Sequence, residues 1–265
     1  MRLKTLLIMA SVACGVSGAS RAQDLVAIAP QNTTVEYEDA GVRVVRLRIP
    51  PHGSLPRHDR PARVVVSLTA NNAQLTRPDG TTSITRTEAG SVAWSEPAVR
   101  SVANLSDAPL ENIVIELRTA HEPARRLGGP PSPPPGNYLS DRFHHWVFEN
   151  QYVRVFDVRI PPGATTEFHR HATRSVVVFV SGGRVSTERQ GEAWGSAENI
   201  KAGGVTFSDD SGQPFTHRVR NEGASEYRVL LVHFLQHVNR GPQHRAVRRQ
   251  AEGLAAPLHH GAPSR

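Results

Sequence analysis

Cysteine is almost missing from this sequence: Cys14 is the one copy in 265 residues. A single thiol closes no disulfide framework and builds no cysteine-rich metal cluster. Lysine is nearly as scarce, with Lys4 and Lys201 the two copies, so the formal net charge of +7 is carried by arginine. The arginines are scattered through strand-like segments and do not cluster with aromatics, which argues against a nucleic-acid surface. No apolar run is long enough to span a bilayer. No stretch of helical length repeats its apolar residues every 3.6 positions, which leaves little room for a helical architecture.

The chain begins with a basic head, Met1-Arg-Leu-Lys4, a short apolar run and the small-residue exit Ser20-Arg21-Ala22. That is the layout of a secretory signal peptide over residues 1–22, so a periplasmic or secreted location is expected; a buried N-terminal element is the alternative. Cys14 leaves with it, since Ser11-Val-Ala-Cys14 is a poor lipid-attachment motif. Arg2, Lys4 and Arg21 leave too, which takes the net charge from +7 to +4. The far end, residues 237–265, is basic and poor in large apolar residues, and is expected to be disordered, solvated or in contact with an anionic surface.

Between these ends the chain repeats itself. Tyr37-Glu-Asp-Ala-Gly-Val-Arg-Val-Val-Arg-Leu-Arg-Ile-Pro50-Pro51 is matched by Phe148-Glu-Asn-Gln-Tyr-Val-Arg-Val-Phe-Asp-Val-Arg-Ile-Pro161-Pro162, an offset of 111. The same offset takes His58 to His169 and Arg63 to Arg174, and places Val64 opposite Ser175. Within each unit the runs are short, rich in Val, Ile and Thr, and punctuated by Gly, Pro, Asn and Asp, as in an all-β domain. The Val/Arg alternation of Val42–Ile49 predicts a half-buried strand. Residues 23–120 and 143–236 therefore read as two domains. The Pro/Gly-rich segment 121–142 reads as a semi-rigid linker.

One stretch of the second unit carries chemistry: Gly163-Ala-Thr-Thr-Glu-Phe-His169-Arg-His171-Ala-Thr-Arg-Ser175, running on to Gly182. On extended backbone, residues i and i+2 face the same side, so His169 and His171 can aim at one point. Imidazole is the commonest metal ligand. A solvated, histidine-rich loop is the plainer alternative.

With the repeat in view, each unit resembles a cupin, over residues 33–118 and 145–235. The resemblance implies an all-β chain of two tandem double-stranded β-helix (jelly-roll) barrels, a bicupin. Gly163, His169, His171 and Gly182 match the first cupin motif, and His217 with three residues between it and Asn221 matches the second. It follows from the resemblance that His169, His171 and His217 hold a divalent transition metal; imidazole suits Fe, Mn, Ni, Cu and Zn alike. The family's glutamate position falls on Ser175. Ser175 and Glu167 are the auxiliary candidates, and Arg174 is expected to point away from the site.

The first unit keeps His58, but Arg60 stands for His171 and Arg100 for His217. Guanidinium has no lone pair to give, so a metal is not expected there. His58, Arg60 and Arg100 could bind an anion, or the unit is a structural partner that covers the other barrel. His144 and His145 read as lid or interface residues and His233 as a core histidine. Two functions compete: a metal-dependent enzyme (dioxygenase, isomerase or lyase type) on a small organic molecule, and a non-catalytic module binding metal or a small ligand. A structural protein with both sites decayed is the third. The expected partner is a small molecule, a homodimer is compatible with the pattern, and nucleic acid is not expected.

Overall fold

The computed structural model describes residues 23–120 and 141–235. The expected signal segment and basic tail, and nearly all of the expected linker, lie outside the described residues. The short β-branched runs become strands, as the composition predicts. Among the described residues no helix is long and apolar enough to cross a membrane.

The first half holds β1 (Gln23–Asp24), β2 (Thr33–Glu38), β3 (Val42–Ile49), β4 (Ser54–Arg60), β5 (Arg63–Ser67), β6 (Asn71–Thr76), β7 (Thr82–Thr87), β8 (Val92–Ser95), β9 (Ala98–Asn104) and β10 (Leu110–Leu117). They form two sheets, β1-β4-β9-β6-β7 and β2-β3-β10-β5-β8. The second half holds β11 (His144–Glu149), β12 (Val153–Ile160), β13 (His169–His171), β14 (Arg174–Phe179), β15 (Gly183–Arg189), β16 (Glu198–Ile200), β17 (Val205–Asp209), β18 (Phe215–Asn221) and β19 (Tyr227–Phe234). Its sheets are β11-β12-β19-β14-β17 and β13-β18-β15-β16. Each half is thus a double-sheet jelly roll, and the strand order of the second repeats that of the first.

The two halves share a core. Val42, Val44, Val64, Val66, Ile113 and Ile115 of the first pack in one buried cluster with Val153, Val155, Val176, Val178, Leu230 and Val232 of the second. Tyr37 stacks on Phe207 at 3.7 Å between ring centroids. Arg46 donates to the Gly203 carbonyl at 2.6 Å, and Arg228 donates to the Gly90 carbonyl at 2.8 Å, so each half sends an arginine to the other. Arg174 points out of its own barrel and pairs with Asp39 of the other half, as expected.

This shared core changes the expectation for β3. It is buried on both faces, not one: Val42 and Val44 face the other half, while Val45, Leu47 and Ile49 line its own barrel, the latter two in a separate cluster with Leu55, Val102 and Leu110. Arg43 is buried on the inner side and is neutralised by Glu116 at 2.7 Å and Asp24 at 2.6 Å.

The structure also corrects the alignment of the two units by one residue. Glu116 pairs across the sheets with both Arg43 and Arg63, and His233 pairs with both Arg154 and Ser175. With Arg43 matched to Arg154, Arg63 and not Val64 is the counterpart of Ser175. Two residues lie between Arg60 and Arg63, whereas three lie between their counterparts His171 and Ser175. A one-residue slip turns every following side chain to the opposite face. Arg63 therefore points into its barrel, whereas Arg174 points out.

Candidate metal centre

Three imidazoles meet because of strand register. His169 and His171 are alternate residues of β13 and share its inner face. His217 on β18 is the direct cross-strand partner of His169, so its ring rises beside theirs. One ligand nitrogen from each of the three lies within 4.8 Å of the others. The His171 and His217 Nε2 atoms are 3.1 Å apart. Two nitrogens about 2 Å from a common metal, at roughly 90–110° to one another, are separated by about 3.0–3.4 Å.

The protonation states suit a metal too. His169 Nδ1 donates to the Glu167 carbonyl at 3.0 Å, which leaves its Nε2 lone pair facing the other rings. Burial, and after it the neighbouring His144, pulls the His169 pKa down to about 4; burial and then His169 pull His171 to about 3. His217 is held well below its ordinary value by the same causes. All three are neutral at pH 7 and can donate lone pairs.

Two glycines shape the approach. Gly163 turns the chain before the histidines at φ +73°, and a Cβ on Gly182 would sit 2.8 Å from the Ile200 carbonyl oxygen. Asn221, fully buried, donates to the Ile160 and Ser225 carbonyls at 2.8 Å each and accepts from Gly223 N–H at 2.9 Å. It ties the end of β18 to the end of β12, so the asparagine of the second motif has a structural task.

The auxiliary candidates part company. Glu167 is exposed, because residues 166–168 are not in a strand and the i+2 rule does not reach them. Its contribution is the backbone carbonyl that orients His169. Ser175 is buried and lies on the inner face of β14, beside His233. His233 lines the barrel: its ring stacks 6.0 Å from His171 and its Nδ1 meets Thr173 Oγ1 at 2.7 Å.

His144 is not a lid. It is buried, with its ring centroid 4.7 Å from that of His169 and its Nδ1 3.7 Å from Asp141 Oδ2, while His145 is exposed. Asp141 is buried and also accepts from the Phe143 and Glu167 N–H groups at 2.7 and 2.6 Å. Phe215 stacks face to face on His171 at 5.1 Å, and the Arg189 guanidinium lies over the Phe215 ring, 4.5 Å from its centroid. Sequence reasoning missed Asp141 and Phe215. The alternation of β18, with Phe215 two before His217, was a usable signal for the second; nothing marked the first.

In the first half His58, Arg60 and Arg100 occupy the matching positions: His58 is the cross-strand partner of Arg100, and Arg60 is two residues along from His58.

No protein-family model matches the chain, and no curated protein matches it by sequence. Solved structures do match. AerE from Microcystis aeruginosa aligns at a TM-score of 0.54 and 12% identity, over 77% of this chain and 93% of that one. An oxalate decarboxylase, studied for a structural element that modulates proton-coupled electron transfer, aligns at 0.50 and 13%, over 76% of this chain and 74% of its own. A cupin 2 conserved barrel domain protein from Leptotrichia buccalis aligns at 0.43 and 8%, over 76% and 88%. At identities this low, the likeness to AerE and to the oxalate decarboxylase is one of fold.

Proposed function

We propose that this cupin-fold chain is an exported metal protein. In this reading the 143–236 barrel holds one divalent ion, drawn from Fe, Mn, Ni, Cu and Zn, through Nε2 of His169, His171 and His217. The observation that carries the proposal is the convergence of three neutral imidazole nitrogens within 4.8 Å. Bound there, a metal supplies Lewis acidity toward a small organic molecule. The chain's own residues do the rest. The Glu167 carbonyl fixes the His169 tautomer, Phe215 holds the plane of His171, and the apolar cluster around Phe156, Val158 and Leu231 keeps water from the barrel's depth. Ser175, small and uncharged where the family's glutamate would stand, leaves room and no negative charge.

Catalysis is the favoured use, because buried neutral histidines costly to desolvate serve no packing purpose that a leucine would not serve better. The absence of a carboxylate at Ser175 favours the second reading, a binding module without turnover. Metal analysis of purified protein decides the first point. Near-stoichiometric metal, lost in His169→Ala, is expected; less than about a tenth of an equivalent, unchanged by the substitution, sinks both readings. Oxygen uptake and product formation across a panel of small acids, phenols and thiols separates the two. Export is checked by fractionating cells that express the full chain and sequencing the mature N-terminus, expected near Gln23.

A further inference from the structure

The first barrel carries an electrostatic imbalance. Arg63 is 1% exposed and His58 is 0% exposed. Arg60 and Arg100 share the inner face with them and keep partial contact with solvent. With Arg43 these make four inward guanidiniums, against the carboxylates of Glu116 and Asp24, both of which bond directly to Arg43. Two positive charges are left over in the barrel. Repulsion is felt throughout: burial, and then the neighbouring guanidiniums, depress Arg63 and Arg60 below the usual arginine range. Unpaired buried charge is strongly destabilising unless something neutralises it.

Unused hydrogen-bonding atoms accompany the excess charge. Arg63 spends its Nη atoms on the Pro61 carbonyl and Ser95 Oγ, both at 2.6 Å, but its buried Nε has no partner. Arg100 Nε is likewise buried and unpartnered. His58 donates from Nδ1 to the Pro56 carbonyl at 2.7 Å, so its buried Nε2 is an acceptor with no donor. Donors with surplus positive charge call for oxyanion oxygens, and the lone acceptor calls for an O–H.

We propose that the N-terminal barrel is a binding site for a small dianion that also bears a hydroxyl, its charge taken by Arg60, Arg63 and Arg100 and its O–H by His58 Nε2. Hydrogen phosphate and a hydroxy-dicarboxylate such as malate share that chemistry. The site is independent of the proposed metal centre.

The test is calorimetric titration of the full chain with phosphate, malate, sulfate and succinate at fixed ionic strength set by chloride. Phosphate or malate should bind saturably and raise Tm, and which of the two binds identifies the source. Sulfate and succinate, lacking the hydroxyl, should bind about tenfold more weakly. Arg60→Gln and Arg100→Gln should each weaken binding by about tenfold or more, while His169→Ala leaves it unchanged. Arg100→Met should raise the Tm of anion-free protein and abolish the anion's stabilising shift, an effect that a merely structural arginine would reverse. The proposal is overturned if none of the four anions binds saturably, if binding survives both glutamine substitutions, or if it disappears in His169→Ala. Equal binding of phosphate and sulfate, or of malate and succinate, overturns the role of His58.

Discussion

His169 and His58 illustrate how much one backbone carbonyl decides. Each donates its Nδ1 hydrogen to the carbonyl two residues before it, leaving Nε2 aimed inward. At His169 the lone pair meets two more imidazoles; at His58 it meets guanidiniums. The proton balance of the second barrel has a measurable outcome. An unfolded chain protonates these imidazoles near 6.5, whereas the folded chain holds His169 at about 4 and His171 at about 3. The unfolded state then binds more protons between those values, so metal-free protein should keep full stability above about pH 6.5 and lose it as pH falls from there toward 4. Tm measured against pH will show it. The double substitution His169→Gln, His171→Gln should flatten that limb, and an acid limb of unchanged slope would contradict the assignment. Asn221 gives a second prediction at this scale. Asn221→Ala strips three backbone hydrogen bonds, the one to the Ile160 carbonyl fully buried, and should cost about 2–3 kcal/mol in urea unfolding.

At the scale of the element, β14 and the turn that follows it set the site's wall. Gly182→Ala places a methyl 2.8 Å from the Ile200 carbonyl, and the backbone on that side cannot rotate away. A loss of about 1–3 kcal/mol in denaturant unfolding is expected. Strands, repeat and histidine pair were legible in the sequence because alternation, offset and motif spacing are local. What was hidden is what a local pattern does not carry. The first half has one residue fewer between Arg60 and Arg63 than the second has between His171 and Ser175, which turns Arg63 inward, and a fixed offset of 111 passes over that slip. Alternation in Val42–Ile49 tells which residues share a face, but not that a second barrel covers the other one. Asp141 and His144 reach the site by an entry into β11 that has no motif of its own.

For the whole molecule, the shared cluster makes the two barrels one cooperative body. Val176→Asp buries an unpaired carboxylate between them and should lower Tm by several degrees, an effect of a few kcal/mol. Scanning calorimetry should show a single transition before and after; two separated transitions in the parent protein would mean that the halves unfold alone. The make-up of that cluster points to something further, since Val42, Val44, Ile113 and Ile115 lie in it with their own counterparts Val153, Val155, Leu230 and Val232. A face that meets its own counterpart in this way has the form of an isologous dimer contact, here joined into one polypeptide. In a dimer of identical chains, every change at one pocket is made at the other. Joining the copies ends that constraint, and a trio of imidazoles can persist in one barrel while its twin turns to arginine.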